Sequence, residues 1–209
     1  MENVTIRLVN ENEYTDIEKV VRQSFWGLYR PGCVEHFIVH QAREKNWLIK
    51  ALDYCITVDN NIVGHVMYTH ANIRLNNGLD KDVLVLGPIC ILPQYQRKGL
   101  GKQLLDFTLN LATKYGYGAV VVIGNPKFFG KVNFVPAKNY NIYYSKLPKD
   151  KPAPFFMIRE LQAGYLDDTN ATFEPNEAYS VTMDEVDQFD KIFDAKDKTT
   201  KSNKIVVKL

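Results

Sequence analysis

A short basic turn that contains two glycines is the segment of this chain whose residue types and spacing most clearly support chemistry. It follows an apolar run, Val83 to Ile91, precedes Lys102, and reads Gln96-Arg97-Lys98-Gly99-Leu100-Gly101. A strand that delivers such a turn to a helix start directs several backbone N–H groups one way, and the helix dipole adds partial positive charge there. The basic side chains and the open glycine backbone therefore predict an anion site, most often for phosphate.

The turn by itself leaves the identity of the anion open. A dinucleotide-binding fold requires G-x-G-x-x-G, and a Walker phosphate loop requires G-x-x-x-x-G-K followed by Ser or Thr. This turn matches neither pattern. On its residues alone it is a coenzyme site, a nucleotide or phosphate site, or a helix start that happens to contain two glycines.

Histidines and cysteines form no metal-binding or nucleophilic pattern in the sequence. His36 and His40 are one helical turn apart, but no third ligand accompanies them, so we predict no metal. Cys33, Cys55 and Cys90 are odd in number and widely spaced, which predicts reduced thiols. Neither a Ser-His-Asp order nor an activated cysteine stands out.

The elements that must position the turn follow from the periodicity of apolar residues. Strands are predicted at Val4–Val9, Leu52–Val58, Ile62–Leu75, Val83–Ile91, Ala119–Ile123, Asn141–Ser145 and Phe155–Leu161. Helices are predicted at Glu11–Phe25, Val34–Lys45 and Leu100–Tyr115. The last of these has an apolar face made of Leu100, Leu104, Leu105, Leu109, Leu111, Ala112 and Tyr115. Asp59-Asn60-Asn61 and Asn76-Asn77-Gly78 signal hairpin turns.

Length and composition are those of an ordinary globular protein. The chain has 209 residues, of which 45% are hydrophobic and 24% charged, and its net charge of +2 is too small to indicate nucleic acid. No apolar run is long enough for a membrane span, and residues 1–4 show no secretory pattern. We therefore expect a cytoplasmic protein that binds neither nucleic acid nor membrane, as a monomer or a homodimer.

The C-terminal part is predicted to be an extension of one main domain. We place the main domain at residues 1–162 and the extension at 163–209. Within the extension, a capping box at Thr182–Glu185 and the spacing of the apolar residues after it predict one short helix. Asp194–Lys204 is rich in lysine and is expected to be mobile, while Ile205–Val207 could dock as a late strand or stay loose.

The glycine turn and its flanks resemble a known family. The Q-x-x-G-x-G pattern after Ile89-Cys90-Ile91-Leu92-Pro93 is similar to the acetyl-CoA signature of the GNAT superfamily of N-acetyltransferases. Ile123–Phe134 resembles the next strand and short helix of that family, and Phe25–His36 resembles a bacterial branch of predicted small-molecule N-acetyltransferases. The resemblance covers most of the chain, from Val4 to Leu161.

The resemblance implies a fold and a coenzyme. The fold is α/β, with a mixed, mostly antiparallel sheet that is flanked by helices and splayed between its two central parallel strands. Acetyl-CoA is the implied acetyl donor: the backbone of Ile89, Cys90 and Ile91 pairs with its pantetheine arm, and Arg97 to Lys102 hold its pyrophosphate. Asn125 is the side chain expected to bond the arm, the alternative being a turn residue before Pro126.

Phe129 departs from the family pattern. Family members commonly carry a tyrosine at this coenzyme-facing position, whose hydroxyl is thought to protonate the departing sulfur. Without it, CoA thiolate leaves unassisted, another hydroxyl substitutes, or the protein binds acyl-CoA without turnover. Tyr140, Tyr143 and Tyr144 are the candidate substitutes, unless they serve packing.

We therefore expect an N-acetyltransferase in which the amine of a small molecule or peptide attacks acetyl-CoA directly in a ternary complex. Glu35 and His36 are the candidates for acceptor contact or proton relay. Trp26 and Tyr29, beside Phe25, could line the amine pocket or belong to the core. The alternative function is a non-catalytic or weakly catalytic acyl-CoA sensor, which the phenylalanine at position 129 favours.

Overall fold

The computed structural model describes residues 3–199, and its contacts divide the chain into two compact units. The first unit takes residues 3–67, 88–105 and 177–199, and the second takes 68–87 and 106–176. Two strands and one helix run from one unit into the other. The predicted boundary at residue 162 stays a prediction.

The described part of the chain contains five α-helices and nine strands, joined by loops and short 3-10 helices. The helices are α1 (Tyr14–Phe25), α2 (Glu35–Glu44), α3 (Leu100–Lys114), α4 (Pro126–Phe129) and α5 (Met183–Phe189). The strands are β1 (Val4–Leu8), β2 (Tyr54–Val58), β3 (Asn61–Leu75), β4 (Asp80–Ile91), β5 (Ala119–Ile123), β6 (Val135–Pro136), β7 (Ile142–Tyr144), β8 (Phe156–Glu160) and β9 (Ala171–Phe173). Strand pairing follows the order β1-β2-β3-β4-β5-β8-β6, and β9 links β7 to β3.

The first unit is built on an antiparallel ladder under two helices. β1 pairs with β2 from Val4 opposite Val58, and β2 pairs with β3 through a turn whose central residues, Asp59 and Asn60, have φ of 48° and 67°. These left-handed values suit the short polar side chains of Asp and Asn, so the predicted hairpin forms as expected. All five residues of β2 are buried.

The second unit contains the parallel pairs. β4 pairs with β5 in parallel at Leu84–Val120 and Val85–Val121, and β7 pairs with β9 in parallel. β5 pairs with β8, and β6 with β8, in the antiparallel sense. The predicted class, an α/β fold with a mixed, mostly antiparallel sheet, is therefore confirmed.

The carboxyl end of β4 is held closely against β3. The Leu92 N–H donates to the Val63 carbonyl at 2.8 Å. Gly64 permits this approach, because a Cβ there would overlap the Ile91 side chain and lie 2.6 Å from the Cys90 carbonyl oxygen. Pro88, inside β4, has no N–H to give to a ladder, and the pairs of β4 with β5 lie before it, at Leu84 and Val85.

Most predicted elements lie where the apolar pattern placed them, and the departures are local. β6 and β9 were not predicted, being two and three residues long. The helix face predicted to end at Tyr115 was wrong there, since α3 ends at Lys114 and Tyr115 is 53% exposed. The capping box forms as predicted, with Thr182 and Glu185 bonded reciprocally at the start of α5. The predicted late strand at Ile205–Val207 lies outside the described residues, as does part of the lysine-rich stretch, residues 200–204.

The close approach at Gly64 generates a prediction for stability. Gly64→Ala should lower the free energy of unfolding by about 1–3 kcal/mol, because the added methyl group forces β3 and the end of β4 apart. Urea unfolding followed by circular dichroism measures this. The matched control is Gly130→Ala, where the backbone is right-handed helical (φ −61°) and no atom lies within 4 Å of the new Cβ. Equal destabilisation of both variants would contradict the prediction.

Candidate functional site

The glycine turn at the end of β4 has a fixed backbone geometry. The Gln96 side-chain amide donates to the Ile91 carbonyl at 2.9 Å, which ties the start of the turn to the strand end. Arg97 and Gly99 then take left-handed conformations, with φ of 63° and 82°. The first α3 bond in the turn runs from the Gln103 N–H to the Gly99 carbonyl at 3.0 Å. The chain thus reverses within a few residues and enters α3 with the first-turn amides beyond reach of any carbonyl of that helix.

Positive charge surrounds this turn. Arg97, Lys98 and Lys102 are exposed, and the Lys98 ammonium lies 5.5 Å from the centre of the Tyr95 ring. Leu100, by contrast, is buried and anchors the helix start. Backbone amides, a helix start and three cations together favour a multiply charged anion.

The end of β4 supplies backbone rather than reactive side chains. Ile89 is half-buried, whereas Cys90 and Ile91 are buried. Burial raises the pKa of the Cys90 thiol to about 12, so it stays protonated and is a poor nucleophile. Cys90 is therefore not a candidate nucleophile at this strand end.

Glu35 carries its carboxylate into a partly buried position at the start of α2. Its Oε2 accepts the Val34 N–H at 3.0 Å. Burial raises the pKa of Glu35 above the usual carboxyl range. Burial is the largest cause of the raised pKa values of Tyr29, Cys33 and Cys90, and the negative charge of Glu35 raises all three further. The Glu35 carboxylate therefore has more affinity for a proton than an exposed carboxylate has.

His36, next in the chain, has a different environment. Its side chain is fully buried, with Nδ1 3.3 Å from Cys33 Sγ and Nε2 3.1 Å from Asp190 Oδ1. Burial lowers the pKa of His36 to about 4, so the ring is neutral near pH 7. Arg22 completes the group by donating from Nε to the same Asp190 oxygen at 2.6 Å. Both His36 nitrogens therefore lie against protein groups.

Trp26 and Tyr29, the residues predicted to contact substrate, differ in exposure. Trp26 is buried, and its indole N–H donates to the Asp197 carbonyl at 2.9 Å. The Arg22 guanidinium lies 4.2 Å from the Trp26 ring centre. Tyr29 is half-buried, with its ring 6.3 Å from that of Phe25. Residues near the C-terminus thus cover Trp26, while Tyr29 retains access to solvent.

In the second unit, Asn125 and Phe129 have clear local roles. Asn125 caps α4 by accepting the Lys127 N–H at 3.0 Å through Oδ1, as expected for a residue before Pro126. Phe129 is buried and packs edge-to-face on Phe134, with its ring against the backbone of Gly124. It offers no proton at this position.

The three tyrosines considered as substitutes have their own surroundings in the second unit. Tyr144 is buried among the rings of Phe155, Phe156 and Phe173, which fits the packing alternative. Tyr143 and Tyr140 are half-buried. Burial raises the pKa of Tyr140 and Tyr144, so both hydroxyls hold their protons near neutral pH.

A buried polar cluster that includes Arg43 of α2 was not predicted from the sequence. The His65 ring bonds Asp53 through Nε2 at 2.7 Å, and Arg43 donates to Asp53 Oδ2 at 3.1 Å. All three side chains are buried. Strand alternation placed His65 on one face of β3, but nothing in the sequence paired it with the other two.

Residues 3–199 hold no group of three His, Cys, Asp or Glu side chains that could bind a metal ion. None of their helices is both long enough and apolar enough to cross a membrane.

Comparison with known proteins places this geometry in context. The sequence model of the Acetyltransferase (GNAT) family matches residues 19–129. The uncharacterized N-acetyltransferase YhbS of Escherichia coli strain K12 is 25% identical over 126 residues, which cover 60% of this chain and 70% of YhbS. The uncharacterized N-acetyltransferase YjhQ of the same strain is 22% identical over 163 residues, or 78% of this chain and 82% of YjhQ.

Solved structures share the fold. The crystal structure of Escherichia coli YhbS in complex with CoA matches with a TM-score of 0.73 at 22% identity, covering 86% of this chain and 93% of YhbS. A GNAT family acetyltransferase from Brucella melitensis, in complex with acetyl-CoA, matches with a TM-score of 0.69 at 19% identity, covering 86% and 100% of the two chains.

The buried imidazole of His36 generates a prediction for pH dependence. Because its pKa falls from 6.5 to about 4 on folding, the unfolded chain binds the extra proton first as the pH drops. His36 should therefore contribute a loss of about 2 kcal/mol in the free energy of unfolding between about pH 7.5 and about pH 5. Urea unfolding at both pH values measures the loss, which should shrink by that amount in His36→Gln.

The control for this measurement is His70→Gln, which removes an exposed histidine. It should keep the wild-type loss of stability. If His36→Gln loses as much stability as the wild type does between the two pH values, His36 is not the group that titrates.

Proposed function

The chain belongs to the acetyltransferase (GNAT) family, and on that premise we propose that it transfers the acetyl group of acetyl-CoA to the amine of a small molecule or peptide. In this proposal the amine attacks the thioester directly while both substrates are bound. The observation that carries the proposal is the turn after β4, with its two left-handed residues and exposed cations at a helix start. Such a turn suits the diphosphate of a coenzyme.

The coenzyme would bind along the end of β4. We propose that the turn from Gln96 to Lys102 grips the diphosphate and that the backbone of Ile89–Ile91 pairs with the pantetheine arm as an added strand would. Support comes from the register of β4, which pairs with β5 at Leu84 and Val85 yet continues to Ile91 past Pro88. The related structures that hold CoA and acetyl-CoA also support this assignment. Contacts of Asn125 and Phe129 with the arm stay predictions.

Glu35 is our candidate for the proton-accepting group. An alkyl amine with a pKa of about 10.4 is almost entirely protonated at neutral pH and cannot attack in that form. A partly buried carboxylate attracts the ammonium, and its raised pKa lets it take the proton. The neutral amine then attacks the thioester carbonyl, the C–S bond breaks and CoA departs as the thiolate. The nitrogen releases its second proton to solvent, from which the thiolate is then protonated.

His36 has a different part in this proposal. Its ring is neutral at pH 7 and lies between Cys33 Sγ and Asp190 Oδ1, so it packs the start of α2 against both groups. Trp26 and Tyr29 are kept as proposed acceptor contacts, of which Tyr29 is the more accessible and lies within the field of Glu35.

A second candidate function rests on Phe129. Because its ring is buried and carries no hydroxyl, the departing sulfur receives no proton from this position. Help from a general acid is typically worth about 10² to 10⁴ in rate, so its loss slows transfer without abolishing it. A protein that binds acyl-CoA and turns over no amine would be the alternative.

The coenzyme assignment generates a prediction with a matched pair of glycines. Gly99 and Gly116 lie before and after α3, with φ of 82° and 87°, and neither has an atom nearer than 3.9 Å to a new Cβ. Leucine at either position costs about the same backbone strain. Gly99→Leu should weaken acetyl-CoA binding at least tenfold, about the loss expected for one hydrogen bond to a charged group, as measured by isothermal titration.

Gly116→Leu should bind acetyl-CoA as the wild type does. Undiminished binding by a folded Gly99→Leu protein would remove the basis of the coenzyme assignment. Displacement of acetyl-CoA by ATP or NAD would instead favour a nucleotide site.

The assignment of Glu35 generates a prediction for catalysis. Glu35→Gln should lower kcat by about 10²-fold at pH 7.5 and leave acetyl-CoA binding unchanged, because the amine then keeps its proton. Release of CoA thiol with a panel of amines measures kcat. The control is Glu44→Gln, at the exposed far end of the same helix. Equal kcat in wild type and Glu35→Gln would exclude this base, and a flat assay with tight acetyl-CoA binding in the wild type would favour the sensor.

A further inference from the structure

A cleft opens in the second unit. It encloses about 270 Å³ among the turn after β6, strand β7, the loop at residues 145–155 and the start of β8. Pockets for drug-sized molecules usually enclose about 300–1,000 Å³, so this cleft suits a small ligand or one part of a larger one. None of the residues predicted from the glycine turn lines this cleft.

The floor of the cleft is apolar and aromatic. Tyr143 and Tyr144 of β7, Phe156 at the start of β8, and Ile142 and Leu147 all line it. Tyr144 and Phe156 are buried and pack on one another with ring centres 5.6 Å apart, so this part of the wall is fixed. Such a surface suits the apolar or aromatic body of a ligand.

The rim of the cleft is rigid. Pro148, Pro152 and Pro154 line it, and proline fixes the backbone φ angle. Two backbone bonds close turns in the same loop, from Leu147 N–H to the Tyr144 carbonyl at 3.1 Å and from Lys151 N–H to the Pro148 carbonyl at 2.9 Å. A rim that is ordered before the ligand arrives loses little conformational entropy on binding.

The charge of the rim selects for anions. Lys138, Lys149 and Lys151 line the cleft, against one acid, Asp150. The Lys149 ammonium lies 5.0 Å from the centre of the Tyr143 ring, which places a cation directly over the aromatic wall. An apolar wall beside this excess of positive charge is complementary to an apolar ligand with an acidic group.

The cleft lies at the end of β5. Phe156, in its wall, pairs with Ile123, the last residue of that strand. Ile123 leads directly into Gly124-Asn125, the segment predicted to meet the pantetheine arm. Ligands of α/β sheets commonly bind beyond the carboxyl ends of the strands, so this position suits a substrate subsite.

We propose that this cleft binds an acidic group of the acceptor, so that the substrate is an apolar or aromatic amine that also carries a carboxylate or a phosphate. This inference rests on the proposed acetyl transfer and gives its acceptor a chemical class. The lysines hold the acidic group, and Tyr143, Tyr144 and Phe156 pack on the body of the substrate.

The test compares matched pairs of amines on the full chain. Phenylalanine against phenethylamine reports on a carboxylate, and tyramine phosphate against tyramine reports on a phosphate. Wild-type protein should favour the acidic member of at least one pair by about tenfold or more, in affinity by isothermal titration and in kcat/KM with acetyl-CoA. The pair that shows the preference identifies the acidic group.

Charge reversal then locates the preference. The double variant Lys149→Glu with Lys151→Glu should lose it or invert it. The matched control, Lys131→Glu with Lys146→Glu, makes the same change in net charge at exposed lysines of this unit outside the cleft, and should keep it. A ratio between paired amines is insensitive to partial loss of folded protein.

The outcomes separate this inference from the proposed function. Selective binding of the acidic amine without acetyl transfer supports the cleft and contradicts the transferase. Transfer without preference for the acidic amine, or a preference that survives in Lys149→Glu with Lys151→Glu, overturns the cleft and leaves the transferase intact. If none of the four amines binds at millimolar concentration, the proposed role of the cleft is also overturned.

Discussion

The proposed chemistry depends on one backbone constraint: β4 must end so that the chain turns into the start of α3 where the diphosphate of the coenzyme would bind. Three features near that point enforce this end. Leu92 bonds back to Val63, Gln96 bonds back to the Ile91 carbonyl, and Arg97 takes a left-handed conformation that is unusual for a long side chain. A left-handed arginine costs free energy that surrounding bonds must offset, and such strain is concentrated at functional turns.

Buried charges fix the helices that lie beside this strand end in the first unit. Burial works to raise the pKa of Asp53, but the bonds from His65 and Arg43 outweigh it and hold the pKa below its usual value. The carboxylate therefore stays ionised between its partners, and removing one partner would leave an unpaired buried charge. The Arg22–Asp190 salt bridge likewise joins α1 to residues near the C-terminus. These pairs specify one arrangement of α1 and α2, and hence the position of Glu35.

Much of the fold could be predicted from the sequence because its signals are local. Alternation, the Asp59–Asn60 turn and the capping box at Thr182 each depend on a few neighbouring residues, and each formed as predicted. What could not be predicted depends on distant pairing. Arg22 meets Asp190 across 168 residues, and β9 is a strand because β3 and β7 pair with it rather than because of its own three residues. The glycine turn could be predicted because its residues are neighbours in the sequence. The lysine-lined cleft could not, because it is assembled from segments between Pro136 and Phe156 that have no common motif.

The proposed reaction has a candidate group that removes the amine proton but none at position 129 that protonates the departing sulfur. This difference has a physical reason. A protonated amine cannot attack at all, so transfer at neutral pH requires that its proton be removed first. A thiol with a pKa of about 8.5 is already a fair leaving group near neutral pH, and the enzyme loses less by offering it no acid. With Glu35 as the proposed proton acceptor and a phenylalanine at position 129, the chain would keep the group that attack requires and lack one that only assists departure of the thiolate. The same ordering argues that Phe129 by itself is weak support for a protein without turnover.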